Sequence, residues 1–141
     1  VVPLGGLSER HGGILEGHTW AETEQRNPEL AKKFLALPEE ERWPLAGAET
    51  DEEVIARFEA ALESIRALHP AGSRLVVVSH GGVMRAYLRG HFGTEVLPGT
   101  RRAANASITR LQWDGDSANP RLLEVGSTAH LAEDPGSSAV E

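Results

Sequence analysis

The feature that most constrains the fold is a short apolar run. It is followed by the tetrapeptide Ser-His-Gly-Gly and then by a helical pattern. Residues 75–78 (LVVV) are all apolar and three are β-branched, and the run is too short for a helix. A strand without polar alternation is typical of a parallel sheet that is covered on both faces. The tetrapeptide Ser-His-Gly-Gly occupies positions 79–82, and residues 83–92 carry a helical pattern that Gly93 ends. The sequence therefore predicts a buried strand, a tight turn and a helix.

Capped helix starts are predicted at three upstream positions. Thr19 and Thr50 are each followed three residues later by glutamate, which is the capping-box pattern, so helices are expected to begin directly after them. Asn27 suits an N-cap and Pro28 the first position of a further helix. A polar connection is expected over residues 38–47. The helix after Thr50 has the clearest apolar stripe of the chain.

Two weaker strand patterns follow at 105–113 and 121–125, so helices and strands alternate along the chain. That order favours an α/β layered domain. With 141 residues the chain has room for one domain of ordinary size, predicted over residues 1–131. The remainder, 132–141, is acidic and rich in Pro, Gly and Ser, and is expected to be a disordered tail.

Composition argues against several classes of function. The chain has 14 Lys and Arg against 21 Asp and Glu, and this net charge of −7 argues against nucleic-acid binding. It has no cysteine, which excludes disulfides, thiolate nucleophiles and cysteine-based zinc sites. His11 and His18 lack a third ligand at a recognisable spacing, so neither a metal nor a cofactor is expected. No apolar run approaches the roughly 20 residues that span a bilayer, and no leader pattern is present, so a cytoplasmic protein without membrane contact is expected.

The first candidate site is His80, at the predicted carboxyl end of the buried strand, where open parallel sheets bind their ligands. Gly81 and Gly82 allow the backbone to approach a ligand closely, and the following helix offers free N–H groups at its positive end. A phosphate at this place would meet these amides and an imidazole together. The alternative interpretation is a histidine that caps or packs at a strand end, beside glycines that only make a tight turn.

The second candidate is the glycine-rich loop at residues 7–17 (LSERHGGILEG). Its Glu9 and Arg10 place a carboxylate beside a guanidinium, a combination that can pair a general acid with an anion-binding group. The alternative interpretation is a solvated surface loop whose charges take no part in chemistry.

Four segments together resemble the histidine phosphatase superfamily, the phosphoglycerate mutase-like enzymes. Residues 77–82 (VVSHGG) resemble its second-histidine motif, residues 7–17 its loop with the general acid, residues 47–50 (GAET) the start of its next helix, and residues 105–108 (NASI) the strand segment after the second histidine. The resemblance covers about residues 7–131. It implies a three-layer α/β/α fold with a mostly parallel sheet.

The resemblance also implies phosphoryl transfer through a phosphohistidine. In that family a histidine of an Arg-His-Gly motif attacks phosphorus, a second histidine and two arginines stabilise the phosphoryl group, and an acidic residue protonates the leaving oxygen. By position, His80 is then the second histidine and Glu9 the proton donor. Arg10 matches a substrate-binding arginine of the mutase members, and Gly81 is expected to bind the substrate through its backbone.

The chain departs from the family pattern at the attacking histidine. Arg10, His11 and Gly12 spell Arg-His-Gly, but they follow a glycine-rich loop rather than a buried strand and stand where the acid loop belongs. We therefore interpret this spelling as coincidental and expect the first strand, with its Arg-His-Gly, to lie before Val1. The chain would then be an incomplete, C-terminal portion of the domain. The run at 75–78 would have an unpaired edge, and the isolated chain is expected to fold poorly or to form homo-oligomers.

The leading hypothesis is a phosphomonoester hydrolase that acts through a phosphohistidine on a small phosphorylated metabolite. Mutase members carry a longer, tyrosine-containing insertion after the acid loop, whereas residues 17–50 are short and lack tyrosine, which favours a phosphatase. Three alternatives stay open: a phosphoglycerate mutase-type phosphotransferase, a catalytically inactive anion-binding or interaction module, and an enzyme in which His11 itself is the nucleophile.

Overall fold

The computed structural model describes residues 1–97, 104–115, 117 and 119–131. Its helices are α1 (Trp20–Arg26), α2 (Pro28–Ala36), α3 (Glu39–Arg42), α4 (Asp51–Ala67) and α5 (Gly81–Phe92), and its strands are β1 (Ile108–Gln112) and β2 (Arg121–Ser127). Short 3₁₀ turns occupy Gly5–Leu7, Gly13–Leu15, Trp43–Ala46 and Thr94–Val96. The helix starts predicted after Thr19, Asn27 and Thr50 are confirmed. None of the described helices is both long and apolar enough to cross a membrane. The predicted tail at 132–141 lies outside the described residues.

The main hydrophobic core lies between α4 and α5. At the start of α4 the Thr50 hydroxyl accepts the N–H of Glu53 at 3.2 Å, and the Glu53 carboxylate accepts the N–H of Thr50 at 2.8 Å, which is the predicted capping box. Farther along, the Phe58 ring meets the Tyr87 ring edge-on, with centroids 5.1 Å apart. The buried members of this core are Val54, Phe58, Leu62, Val83, Ala86, Tyr87 and Leu88. Their packing fixes the start of α5, which carries the glycine pair, relative to α4.

A smaller core surrounds Phe34 of α2. Its ring lies 5.6 Å from that of Trp20 and 5.5 Å from that of Trp43, measured between centroids. The expectation of a polar connection over residues 38–47 is wrong, because α3 and a 3₁₀ turn form there and bring Trp43 onto Phe34. The indole of Trp43 packs apolar surface against this core, although the residues just before it in the sequence are charged.

The sheet consists of β1 and β2, which pair antiparallel. Arg110 lies opposite Glu124 and pairs with its carboxylate, while Leu111 and Leu122 lie opposite each other and pack against the main core. The mostly parallel, three-layer sheet expected from the sequence is therefore not what the described strands form. The expectation came from the run at 75–78 and from the family resemblance. The strands β1 and β2 instead follow each other along the chain, and consecutive strands with a short connection pair antiparallel.

Residues 75–78 lead into α5 without pairing with any strand in the part of the chain that the structure describes. Val77 packs against the main core, whereas Val76 and Val78 are 93% and 82% exposed. The expected coverage of this run on both faces is wrong here, because only Val77 faces the core and no described element covers its two neighbours. The run leaves an unpaired, apolar edge on the surface.

Candidate active site

The glycine-rich loop and the start of α5 meet at Glu9. The Glu9 carboxylate accepts the backbone N–H of Gly82 at 3.3 Å and that of Val83 at 3.2 Å. It also accepts the N–H of Arg10 at 2.9 Å. The first amides of a helix have no partner within the helix and lie at its positive end, so a negative charge is favoured there. Two segments that the sequence singled out separately therefore form one site.

His80 occupies the N-cap position of α5, and the residue is exposed. Its imidazole makes no capping hydrogen bond to the helix, so the interpretation of His80 as a capping or packed residue does not hold. The preceding Ser79 donates its hydroxyl to the carbonyl of Leu7 at 2.8 Å and ties this junction to the loop. An imidazole open to a ligand and a carboxylate that can exchange a proton thus share one helix start, an arrangement suited to acid–base chemistry on an anion.

Gly81 and Gly82 differ in their surroundings. A Cβ at Gly81 would meet nothing within 4 Å, whereas a Cβ at Gly82 would lie 2.7 Å from the Oε1 of Glu9. The close approach expected of the glycine pair is therefore made by Gly82, and the group that approaches is the loop carboxylate. The backbone at Gly81 borders open space beside His80.

Arg10 is held away from solvent by its own neighbours. Its guanidinium pairs with Asp51, donates to the carbonyl of Glu49 at 2.5 Å and lies 4.6 Å above the centre of the Trp43 ring. Asp51 in turn pairs with Arg89 of α5. A substrate anion would compete with Asp51 for this guanidinium, because the two oppositely charged groups already satisfy each other.

Arg57 and Glu49 form a second charged pair beneath the loop. Arg57 donates from Nε and Nη2 to the two carboxylate oxygens of Glu49, at 2.8 Å each. These hydrogen bonds, and secondarily one from the N–H of His11, lower the pKa of Glu49 below its ordinary value. The carboxylate correspondingly raises the pKa of Arg57. Both groups therefore stay charged, and both reach into the loop that carries Glu9.

Sequence reasoning missed Arg57 and noted Glu49 only within a helix-start motif. Arg57 stands three residues after Val54 and directly before Phe58, inside an apolar stripe. An arginine in that position signals a partner for its charge, since an unpaired charge on a packed face is costly. That partner lies eight residues upstream and could not be identified from spacing alone.

A cavity of about 510 Å³ opens beside the loop. His11 lies at this cavity, and its Nε2 is 3.8 Å from the Oε1 of Glu16. The full lining consists of Gly5, Ser8, Glu9, Arg10, His11, Glu16, Glu49 and Arg57. Within the described residues, no three side chains of the types that bind metals lie together. The cavity is thus bordered by charged groups, of which Arg10, Glu49 and Arg57 are already paired.

Comparison with a family model and with known proteins places the chain in one family. The sequence model of the histidine phosphatase superfamily (branch 1) matches residues 1–126. A relative from Arabidopsis thaliana named metal-independent phosphoserine phosphatase is 39% identical over 90 residues, which are 63% of this chain and 37% of the relative. A second Arabidopsis thaliana protein, phosphoglycerate mutase-like protein 4, is 32% identical over 132 residues, which are 90% of this chain and 53% of the relative. The chain thus spans about half or less of the length of these relatives. No solved structure matches the chain significantly.

Proposed function

Because the chain belongs to the histidine phosphatase superfamily, we propose that it is a phosphomonoester hydrolase that acts through a phosphohistidine on a small phosphorylated metabolite. The observation that carries the proposal is the position of the Glu9 carboxylate on the first amides of α5, next to the exposed His80. A carboxyl group and an imidazole at one helix start can supply general acid catalysis and electrostatic stabilisation to a phosphoryl group.

In the proposed mechanism the phosphoryl group lies beside His80 and the backbone of Gly81. A histidine attacks phosphorus and the N–P bond forms. The P–O bond to the alcohol breaks while Glu9, which takes up a proton from solvent before this step, donates that proton to the leaving oxygen. Glu9, now a carboxylate, then accepts a proton from water as the water oxygen attacks phosphorus and the N–P bond breaks. His80 stabilises the charge on the phosphoryl oxygens in both steps, a contribution that is electrostatic.

The proposal does not assign the attack to His11. It keeps the expectation that the attacking histidine belongs to an Arg-His-Gly motif that lies before Val1. Arg10 is bound by Asp51 and Trp43, and the backbone N–H of His11 donates to Glu49. These contacts hold Arg10 and the backbone of His11 against the start of α4 and the segment before it, whereas His80 stands at the start of α5. His11 as the nucleophile remains the alternative that the experiment below must test.

The names of the relatives suggest which substrates to test first. Phosphoserine is the first candidate, because the relative with the higher identity is named a phosphoserine phosphatase. Phosphotransfer between positions of a phosphoglycerate is the second, because the other relative is named phosphoglycerate mutase-like. A different candidate function is an inactive anion-binding module, since the exposed His80 and the open backbone at Gly81 can hold an anion without an attacking group.

The test is release of inorganic phosphate by the intact native protein from phosphoserine, 3-phosphoglycerate and p-nitrophenyl phosphate. Glu9→Gln is expected to lower kcat by about 10²–10⁴-fold, as for the loss of a general acid. His80→Gln is expected to lower it by about 10²–10³-fold, as for the loss of one stabilising donor. His69→Gln is the matched control, because His69 lies two residues beyond the end of α4 and its imidazole bonds locally, to the carbonyl of Ile65.

Each other outcome identifies an alternative. Full activity in both site variants would refute the proposed roles. Complete loss of activity in the single variant His11→Gln would make His11 the nucleophile. A protein that binds phosphate but hydrolyses none of the three esters would be the inactive anion-binding module.

A further inference from the structure

We propose that Arg57 is a positioning residue that fixes the Glu9 carboxylate on the start of α5, an inference that rests on the proposed function. Arg57 lies in the middle of α4, and its guanidinium reaches under the loop rather than toward His80. The role is inferred from where its hydrogen bonds go.

All five N–H donors of the Arg57 guanidinium are used. Two go to Glu49, as described above. The other three go to backbone carbonyls of the loop: Gly6 at 3.0 Å, Ser8 at 2.8 Å and Glu9 at 3.1 Å. A planar fork with five donors in fixed directions can satisfy such a set, whereas a lysine offers three donors on one atom. Arg57 therefore fixes the backbone of residue 9 itself, together with the residues that precede it.

Glu49 fixes the loop backbone on the other side of Glu9, at His11. Its carboxylate accepts the N–H of His11 at 2.8 Å, and its own N–H donates to the carbonyl of His11 at 3.0 Å. The loop is thus tied to α4 on one side of Glu9 and to the residue before the α4 N-cap on the other. The side chains of Arg57 and Glu49 are 23% and 24% exposed, so most of the surface of each is shielded from water.

Positioning follows from the geometry on the other side of the loop. The Glu9 side chain spans from this anchored backbone to the amides of Gly82 and Val83, which the α4–α5 core holds in place. With both ends fixed, the carboxylate has one place to lie. Without Arg57, three loop carbonyls and a carboxylate lose their donors to water, and the backbone of residue 9 is no longer held at a set distance from α5.

The test follows the carboxylate directly, through the NMR resonances of the Gly82 and Val83 amides. In the parent protein, Glu9→Gln removes the group to which these amides donate and shifts both resonances. In Arg57→Met, adding Glu9→Gln is expected to shift them several-fold less, because the carboxylate has already left. Equal shifts in the parent and in Arg57→Met would overturn the inference.

Two further variants control for charge and folding. Arg66→Met removes an arginine from the same helix whose hydrogen bonds go to Glu63 and to the carbonyl of Ser117, so Glu9→Gln should act there as in the parent. Arg57→Lys keeps the charge beside Glu49 and is measured in case the methionine variant does not fold. It lacks the fork, so the shifts should be reduced there too, and full-size shifts in this variant would also overturn the inference.

Kinetics separates positioning from stability alone. Arg57→Met should lower kcat by about 10²-fold with little change in KM, as expected when a reacting group is misplaced. The double variant with Glu9→Gln should be no slower than Glu9→Gln alone, because both changes remove the same contribution. Losses that multiply in full would overturn the inference. If the parent hydrolyses no phosphomonoester, the proposed function fails, and the amide resonances alone decide the role of Arg57.

Discussion

At the residue scale, the site depends on the absence of one Cβ. The Glu9 carboxylate reaches the first amides of α5 through the space that a side chain at Gly82 would fill. The atom in the way is the end of a flexible glutamate rather than backbone, so an added methyl group would move Glu9 and leave the helix intact. The neighbouring Gly81 offers a control, because the space around its missing Cβ is open.

We expect Gly82→Ala to displace the Glu9 carboxylate from α5 while changing the free energy of unfolding by less than about 1 kcal/mol, since alanine favours the helix. Gly81→Ala should leave the carboxylate in place. Crystal structures of both variants, with urea denaturation for stability, check this. Retention of both Glu9 hydrogen bonds in Gly82→Ala would show that the carboxylate position does not depend on the glycine.

At the element scale, the same local motif has different consequences at two helices. Thr19 caps α1 and Thr50 caps α4 with equivalent capping boxes. The helix α1 buries only Thr23, whereas α4 contributes five buried residues and faces α5. A helix cap raises the global free energy of unfolding only when the rest of the molecule cannot stay folded without that helix.

We expect Thr50→Ala to lower the global free energy of unfolding by about 1 kcal/mol. Thr19→Ala should have a smaller global effect, because α1 can fray while the α4–α5 core stays folded. Urea denaturation measures the first quantity, and amide hydrogen exchange within α1 detects the local fraying. Equal losses from the two substitutions would mean that α1 unfolds only together with the core.

The elements that could be predicted from the sequence are those whose signals are local. The capped starts at Thr19, Asn27 and Thr50 lie within three residues of their partners, and their side chains bond as expected. The residues at 38–47 were misjudged because the contact of Trp43 with Phe34 is a tertiary one. The pairing of the strands could not be predicted, because an apolar run such as 75–78 carries no information about which strand pairs with it.

At the scale of the whole molecule, the sequence indicates Glu9 and His80 as candidate site residues but not the contacts that hold them. Glu9 and His80 could be singled out because their residue types suit acid–base and anion chemistry, and the structure brings their segments together. The Arg57–Glu49 pair could not, because the carbonyls to which Arg57 donates lie about 50 residues away and have no signature in a sequence.

The exposed run at 75–78 predicts self-association of the 141-residue chain. An unpaired segment with apolar side chains is a template for pairing with another chain. We expect sedimentation velocity to show larger species that increase with concentration, and the double substitution Val76→Thr and Val78→Thr to suppress them. Leu35→Thr removes an exposed apolar residue from α2 and should leave association unchanged. A parent chain that stays monomeric at all concentrations would contradict this.

The tie between the loop and α5 also bears on the order in which the chain folds. The partners of Glu9 lie 73 and 74 residues away along the chain, whereas the cap of α4 joins residues three apart. Contacts between distant residues form late, because a long stretch of chain must close into a loop before they can form. Local contacts form early. We therefore expect α4 to acquire amide protection early in refolding and Gly82 and Val83 to acquire it last. A newly made molecule would then have its helices before it has the Glu9 carboxylate in place.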